Sequence, residues 1–145
     1  MKTHGEKPVL ELLVETRPEE TVELESELGH VKMIPFSGTV SGPLFRGIIE
    51  PCGVDTQVTD AVGVRRMSAR YMLTGTDHTG ASCHIYIENN GWFPDGARPK
   101  PFRTVPCFYT DSTALAPFLH RTHFVGEGAR DESGLWIRFY ELSDR

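Results

Sequence analysis

The sequence predicts an all-β fold, a single antiparallel β-barrel of about eight to ten strands with little helix. The clearest observation is the segment 66–74, where Met67, Ala69, Tyr71 and Leu73 alternate with mostly polar residues. Alternation with a period of two is typical of a strand that has one dry face. Further short segments follow, separated by turns rich in Gly and Pro, and no stretch keeps a helical period beyond one or two turns. A sandwich of two sheets is the alternative architecture.

Strands in the first half of the chain are predicted from apolar or alternating runs that end at turn residues. Pro35 and Gly38 lie inside the third of these runs, which is therefore one strand that bends or two short strands. The sequence Pro-Cys-Gly at 51–53 is expected to end the fourth strand. The predicted strands are 9–14, 21–24, 31–40, 45–50 and 55–59.

A hairpin is the main feature predicted for the second half. Its strands are 65–76 and 82–89, and the turn is the Asp-His-Thr-Gly sequence at 77–80. The segment 91–101 contains several Gly and Pro residues and is interpreted as a loop. One helical turn is expected within 112–119. The remaining predicted strands are 102–110, 121–126 and 135–142.

Composition and charge exclude several classes of protein. The chain has 145 residues, a size typical of a single domain, and we expect one domain over 1–145. The net charge of −5 argues against a nucleic-acid partner, because such affinity comes largely from phosphate neutralisation. No apolar run is long enough to span a bilayer, and no signal sequence is recognisable, so a cytoplasmic protein with no membrane partner is predicted.

Motifs for metals and cofactors are also missing from the sequence. The three cysteines form no CxxC pair, which argues against a disulfide framework and a zinc knuckle. His120 and His123 are three residues apart, a spacing that places them on opposite faces of a strand. No phosphate-binding glycine loop, dinucleotide fingerprint or nucleophile elbow is present. We therefore predict no cofactor and no metal.

Several short motifs, each weak alone, occur in a specific order along residues 9–142. They are Gly42-Pro43, Gly47, and the segments 51–55, 69–71, 85–91, 102–108 and 124–128. Together they resemble the domain-of-unknown-function family 3237, a group of small bacterial and fungal proteins. The resemblance implies a small β-barrel, similar in outline to allene oxide cyclase and lipocalin barrels. It implies no established activity.

The chain departs from the pattern of that family at four positions. The family usually has Gly where Cys52 stands, Trp where Thr56 stands, Asp where Ser68 stands and Glu where Tyr109 stands. If the family shares one carboxylate-dependent reaction, the loss of the acids at 68 and 109 argues against that reaction here.

Three residues are candidates for a catalytic role. Asp55 follows the Pro-Cys-Gly sequence and is either an acid or base, or a carboxylate that caps a turn. Tyr71 is expected to point inward, where its hydroxyl needs a partner. Arg103 would stabilise an oxyanion, since guanidinium binds planar oxyanions in bidentate fashion. Its direction is left open by the pattern, and a structural ion pair is the alternative.

Three further residues are candidates for binding a substrate. Asn89 shares its face with Ile85 and Ile87, so its amide is aimed at a pocket or at the end of the barrel. Glu50 has the parity of Ile48 and is a second candidate base. Arg70 is a second candidate for the oxyanion partner, although alternation places it on the wet face.

The sequence does not decide whether the protein is an enzyme. A small barrel is filled by side chains or holds one small ligand. One hypothesis is a cofactor-independent isomerase, cyclase or lyase that acts on a small acidic or carbonyl-bearing molecule. A second hypothesis is a non-catalytic carrier or sensor of such a molecule. A third is a structural homo-oligomeric subunit, such as a homodimer, that associates through strand edges or through Trp92-Phe93.

Overall fold

Antiparallel strands form nearly all the regular structure of the residues that the computed structural model describes, 2–4 and 7–144, with side chains for 7–142. Helix within these ranges is limited to a 3-10 turn at Pro18–Glu20 and to α1 at Ala116–Leu119. The strands are β1 (Lys2–His4), β2 (Leu10–Thr16), β3 (Val22–Ser26), β4 (Gly29–Ser41), β5 (Phe45–Asp60), β6 (Arg65–Asp77), β7 (Ser82–Phe93), β8 (Phe102–Thr110), β9 (Phe124–Asp131) and β10 (Gly134–Asp144).

Eight of these described strands close into a barrel. Their order is β10-β2-β4-β5-β6-β7-β8-β9, and β9 pairs back to β10. Of the other two, β1 pairs with the end of β10 and β3 pairs with β4. Closure supplies each barrel strand with partners on both sides, which removes most of the exposed edges of an open sheet. The predicted antiparallel barrel with little helix is confirmed.

Strand β6 has the two faces that its sequence predicts. Met67, Ala69, Tyr71 and Leu73 are all buried in the barrel, while Arg70 on the opposite face is exposed. The hairpin to β7 is present as expected, with residues 65–76 paired to 82–93. The buried residues of β6 therefore identify the face of the sheet that lines the barrel interior.

Strand β5 corrects the prediction of two strands separated by a turn. It is a single strand, and the Pro-Cys-Gly sequence forms an irregularity between Ile49 and Val54. Ile49 pairs with Leu73 and Val54 with Arg70, so four residues of β5 oppose two of β6 at this point. A bulge accommodates the extra residues without ending the strand. The inward direction is kept, because Ile49 and Gly53 are both buried.

Strand β7 also continues further than the sequence predicts. It runs to Phe93, which is buried, while Trp92 is exposed on the outer face. The breaker-rich loop is therefore limited to residues 94–101. Pairing with β6 holds Gly91 and its neighbours in extended conformation, which composition alone did not indicate.

The two ends of the barrel are closed differently. At one end α1 and the preceding turn cover a cluster of aromatic rings, in which Phe108 packs edge-on against Phe124 and Phe139 with centroids 5.1 and 5.2 Å apart. The other end holds polar residues. Residues 94–101, the covering loop, lie against it through Arg98 in the cavity wall and through Gly96, whose carbonyl accepts a hydrogen bond from Arg65. No helix in the described ranges is long and apolar enough to cross a membrane.

Candidate functional site

A cavity of about 40 Å³ lies inside the barrel at the end covered by residues 94–101. A water molecule takes about 30 Å³ in the liquid, so the cavity has room for very little. Most of its wall is apolar, but five residues with polar or charged groups contribute. The lining residues are Val14, Thr16, Phe36, Asp55, Met67, Ala69, Tyr71, Asn89, Arg98, Phe102, Leu135 and Ile137.

Strand register brings Asp55 and Asn89 to the same level of the barrel. Asp55 pairs with Ala69, and Ala69 pairs with Asn89 on the next strand. Asp55 and Asn89 are separated by two strand spacings, so their Cα atoms are about 10 Å apart. Because the residue between them has only a methyl side chain, space remains over β6 between the carboxylate and the amide.

The carboxylate of Asp55 is half-buried and only partly satisfied. Its Oδ2 accepts a hydrogen bond from Gln57 Nε2 at 2.7 Å, while Oδ1 is buried without a partner in the described structure. Burial raises the pKa of Asp55 above its ordinary value. The bond from Gln57 opposes this shift, as do three nearby cations, which are Arg98, Arg65 and Lys32.

A short chain of side chains fixes the orientation of this carboxylate. Arg65 donates through Nη2 to Gln57 Oε1, and Gln57 in turn donates to Asp55. Gln57 is buried. Since the amide accepts from the guanidinium, its NH₂ group must face the carboxylate. The chain leaves Oδ1 as the oxygen that is open for another group.

Tyr71 and Asn89 supply neutral hydrogen-bonding groups to the same cavity. The ring of Tyr71 packs edge-on against Phe36 with centroids 5.1 Å apart. Burial, together with the charge of Asp55, raises the pKa of Tyr71, so the phenol stays protonated and able to donate. Asn89 is only 1% exposed, and its Oδ1 is buried without a partner in the described structure.

Arg98 enters the cavity wall from the loop. Its guanidinium lies over the ring of Phe102, 4.3 Å from the centroid, and the residue is half-buried. Burial lowers the pKa of Arg98, the charge of Arg65 acts in the same direction, and Asp55 opposes both. The charge of Arg98 in the loop therefore acts on the Asp55 carboxylate inside the barrel, and the charge of Asp55 acts on Arg98.

The three other residues predicted from the sequence lie away from this cavity. Glu50 Oε2 accepts a hydrogen bond from Thr74 Oγ1 at 2.7 Å. Arg70 lies 3.6 Å from Glu88, with 65% of its side chain exposed. The structure therefore brings Asp55, Tyr71 and Asn89 together and leaves Glu50 and Arg70 outside.

Arg103 points outward and pairs with Glu127 at 3.4 Å, with 67% of its side chain exposed. With Arg70 and Trp92 it lines an open groove of about 750 Å³ on the outer face of β5–β8. This groove is larger than the interior cavity, but Arg70 and Arg103 already have acidic partners. The groove is also open to water, which weakens electrostatic interactions. We therefore place the candidate site inside the barrel.

Gln57, Arg65 and Arg98 are members of the site that sequence reasoning missed. The sequence does contain a signal for Gln57, because it lies two residues after Asp55 on the same strand and therefore faces the same side. Arg65 begins β6, the strand with the clearest alternation. Arg98 lies in a loop, where no periodicity indicates direction. Among the described residues, no group of three or more His, Cys, Asp and Glu is placed to hold a metal ion.

The arrangement is suited to moving a proton on a small molecule. A carboxylate whose pKa is raised by burial accepts and returns protons more readily than an exposed one. A buried neutral phenol donates a hydrogen bond to a developing oxyanion. An apolar wall with a few convergent polar groups is typical of small-molecule sites.

Comparison with known proteins identifies relatives over nearly the whole chain. The family model described as protein of unknown function (DUF3237) matches residues 6–142. A UPF0311 protein of Clostridium acetobutylicum is 35% identical over 131 residues, which cover 80% of each chain.

Solved structures share the fold. A protein of unknown function from Clostridium acetobutylicum has a TM-score of 0.76 and 28% identity, with 99% of this chain and 100% of that chain covered. A β-barrel-like protein from Acinetobacter baumannii has a TM-score of 0.75 and 23% identity, with 99% and 97% covered. A conserved protein of unknown function from Rhodopseudomonas palustris has a TM-score of 0.75 and 23% identity, with 97% and 99% covered.

Proposed function

This chain belongs to the DUF3237 family of proteins of unknown function, and we propose that it binds a small organic molecule inside the barrel and moves a proton on it. The molecule carries a carbonyl or acidic group, and the reaction is an isomerisation, cyclisation or elimination that needs no cofactor. Asp55 is the acid–base group, and Tyr71 and Asn89 orient the substrate.

The observation that carries this proposal is the state of the Asp55 carboxylate. It is half-buried, its pKa is raised by burial, and Oδ1 has no partner in the described structure. A buried acceptor without a partner costs about 1–3 kcal/mol, so such atoms call for a physical explanation. A bound molecule that donates to Oδ1 would remove this cost. Perturbed groups of this kind concentrate at functional sites.

Tyr71 and Asn89 add direction to the chemistry. When a base removes a proton next to a carbonyl, negative charge develops on the carbonyl oxygen. The neutral hydroxyl of Tyr71 is a suitable donor to that oxygen, and the amide of Asn89 would hold a second polar group of the substrate. Both residues are buried, so water competes little with these interactions.

Entry of a substrate requires the covering loop to move. Sites for small molecules usually measure about 300–1,000 Å³, whereas this cavity measures about 40 Å³. Residues 94–101 contribute Arg98 to the wall, and Gly96 O accepts a long hydrogen bond of 3.4 Å from Arg65 Nη1. We infer that breaking this contact lets the loop move away from the cavity.

The test begins with native mass spectrometry of the protein purified from its own host, followed by release and identification of any bound molecule. That molecule is then incubated with the protein in D₂O, and deuterium incorporation is followed by NMR. Asp55→Asn should slow the exchange by about 10²–10⁴-fold, the usual range for an acid–base group. Glu132→Gln, at an exposed turn, should leave it unchanged. Exchange that survives Asp55→Asn in a folded protein would refute the assignment.

A carrier or sensor is the second candidate, since partnerless acceptors also suit a site that only binds. A stoichiometric molecule that is recovered unaltered, and that exchanges no proton with the wild-type protein, would support this function instead.

A structural homo-oligomeric subunit is favoured by a different observation. Strand β3 pairs only with β4 in the described structure, and its Val22 and Leu24 are 71% and 55% exposed. Such an edge can pair with another chain. A strictly monomeric protein in light scattering at high concentration would contradict this function.

A further inference from the structure

Arg98 is a half-buried cation whose positive charge is not matched by an ion pair. Among the described residues, the ion pairs of arginine involve Arg17, Arg70, Arg103 and Arg138. Arg98 instead contacts the face of Phe102. Its guanidinium is therefore partly withdrawn from water and has no carboxylate within ion-pair distance among the described residues.

The surroundings of Arg98 increase the excess of positive charge. Three cations, Lys32, Arg65 and Arg98, act electrostatically on the single carboxylate of Asp55. Arg98 also experiences the charges of Arg65 and Arg130. The cations that act on Asp55 and Arg98 therefore outnumber the one carboxylate among them, although the chain as a whole has a net charge of −5. Local charge of one sign in a cleft raises the local concentration of ligands of the opposite sign.

We propose that Arg98 binds a carboxylate of the substrate, so the substrate class is small organic anions. This inference rests on the proposed function, because it concerns the same cavity. A guanidinium presents parallel N–H donors that match the two oxygens of a carboxylate. The contact with the ring of Phe102 restricts where those donors lie.

The geometry also orders the bound molecule along the barrel. Arg98 comes from the covering loop, while Asp55 and Asn89 lie deeper, on either side of Ala69. The carboxylate would lie at the mouth and the reacting part of the molecule over Ala69. The two partnerless acceptors, Asp55 Oδ1 and Asn89 Oδ1, would then receive O–H, N–H or acidic C–H groups from that part.

Pairs of probes that differ in charge but not in shape test this inference. Acetate is compared with acetamide, and benzoate with benzamide, at constant ionic strength. Binding is followed by NMR through the methyl group of Ala69 and the side-chain amide of Asn89. We expect each carboxylate to bind at least about tenfold more tightly than its amide. Arg98→Gln should remove that preference, because it weakens the binding of each carboxylate more than that of its amide.

Two further variants guard against indirect effects. Arg98→Lys keeps the charge but loses the paired donors, so it should retain part of the preference. Arg121→Gln, an exposed arginine next to the opposite end of the barrel, should retain all of it. Equal binding of carboxylates and amides to the wild-type protein, no shift with any probe, or an unchanged preference in Arg98→Gln would each overturn the inference.

The outcomes separate this inference from the proposed function. A carboxylate preference that depends on Arg98, without proton exchange, would keep the anion site and refute the enzyme. Proton exchange that depends on Asp55, with equal binding of acids and amides, would keep the enzyme and refute the anion site.

Discussion

Asp55 and Asn89 face each other across Ala69 at one level of the barrel, and each has a buried oxygen without a partner in the described structure. Neither residue is close to the other in sequence. The small residue between them keeps the space over β6 open. Buried polar atoms without partners lower the stability of the folded protein, while the proposed function needs them to bind a substrate. Each effect can be measured.

Asp55→Asn should stabilise the folded protein near neutral pH. Burial raises the pKa of Asp55, while an unfolded Asp titrates near about 3.9. Between these two values the folded state holds more protons than the unfolded state, so stability falls as the pH rises through this window. The substitution removes that loss. Its Tm advantage should be present at pH 7 and disappear below about pH 3.5.

Thermal unfolding at several pH values measures this effect, since about 1 kcal/mol shifts the Tm of a chain of this size by about 2–4 °C. Asp95→Asn, in the exposed part of the covering loop, serves as the control and should change little at any pH. A Tm advantage of Asp55→Asn that persisted at pH 3 would show that charge burial is not its cause.

Ala69→Val should close the cavity while keeping the fold. Its two added methyl groups would occupy the space between Asp55 and Asn89, and overpacking of this size costs about 1–3 kcal/mol. We expect proton exchange on the released molecule to be lost in a protein that still unfolds cooperatively. Ala114→Val, at an exposed position outside the cavity, should keep the exchange. Full activity of Ala69→Val would place the site elsewhere.

Acid should destabilise the opposite end of the barrel through Asp77. This buried carboxylate accepts hydrogen bonds from Thr79, Ser112 and Ala81. The side-chain bonds from Thr79 and Ser112 are the main reason that its pKa falls to about 2. Because the unfolded pKa is near about 3.9, the contribution of Asp77 is complete above that pH and is lost as the pH falls through 2.

Asp77→Asn should therefore be less stable than the wild type at pH 7, and the difference should shrink as the pH approaches 2. Urea denaturation followed by tryptophan fluorescence gives both values. A constant difference over this pH range would indicate lost packing and not lost charge.

Gly75→Ala should destabilise the barrel strongly. Gly75 pairs with Gly47 across β5 and β6, and a Cβ atom at Gly75 would overlap the backbone carbonyl of Arg46. Backbone cannot move aside as a flexible side chain can. The loss of folding free energy should therefore be no smaller than that of ordinary overpacking, which is about 1–3 kcal/mol. Thr76→Ala, at the exposed neighbouring position, should stay within about 0.5 kcal/mol. Equal urea midpoints for the two variants would contradict this expectation.

Part of the candidate site follows from local patterns in the sequence. Alternation along β6 places Tyr71 inside and Arg70 outside, and both directions agree with the observed burial. The parity of Asn89 with Ile85 and Ile87 similarly predicts its buried position. A strand has only two faces, so one apolar series of residues is enough to identify the inner one.

The sequence by itself determined the fold class and the face of residues within regular strands, because both depend on a repeat of two residues. Only the tertiary structure decided which side chains meet. The pairing of β5, β6 and β7 sets Asp55 level with Asn89, and the bulge in β5 makes one strand from two predicted segments. Arg98 reaches the same cavity as Asp55 and Asn89 from a loop, where the sequence has no repeating pattern that indicates side-chain direction. Register and loop path depend on contacts between residues far apart in the chain, which no local pattern encodes.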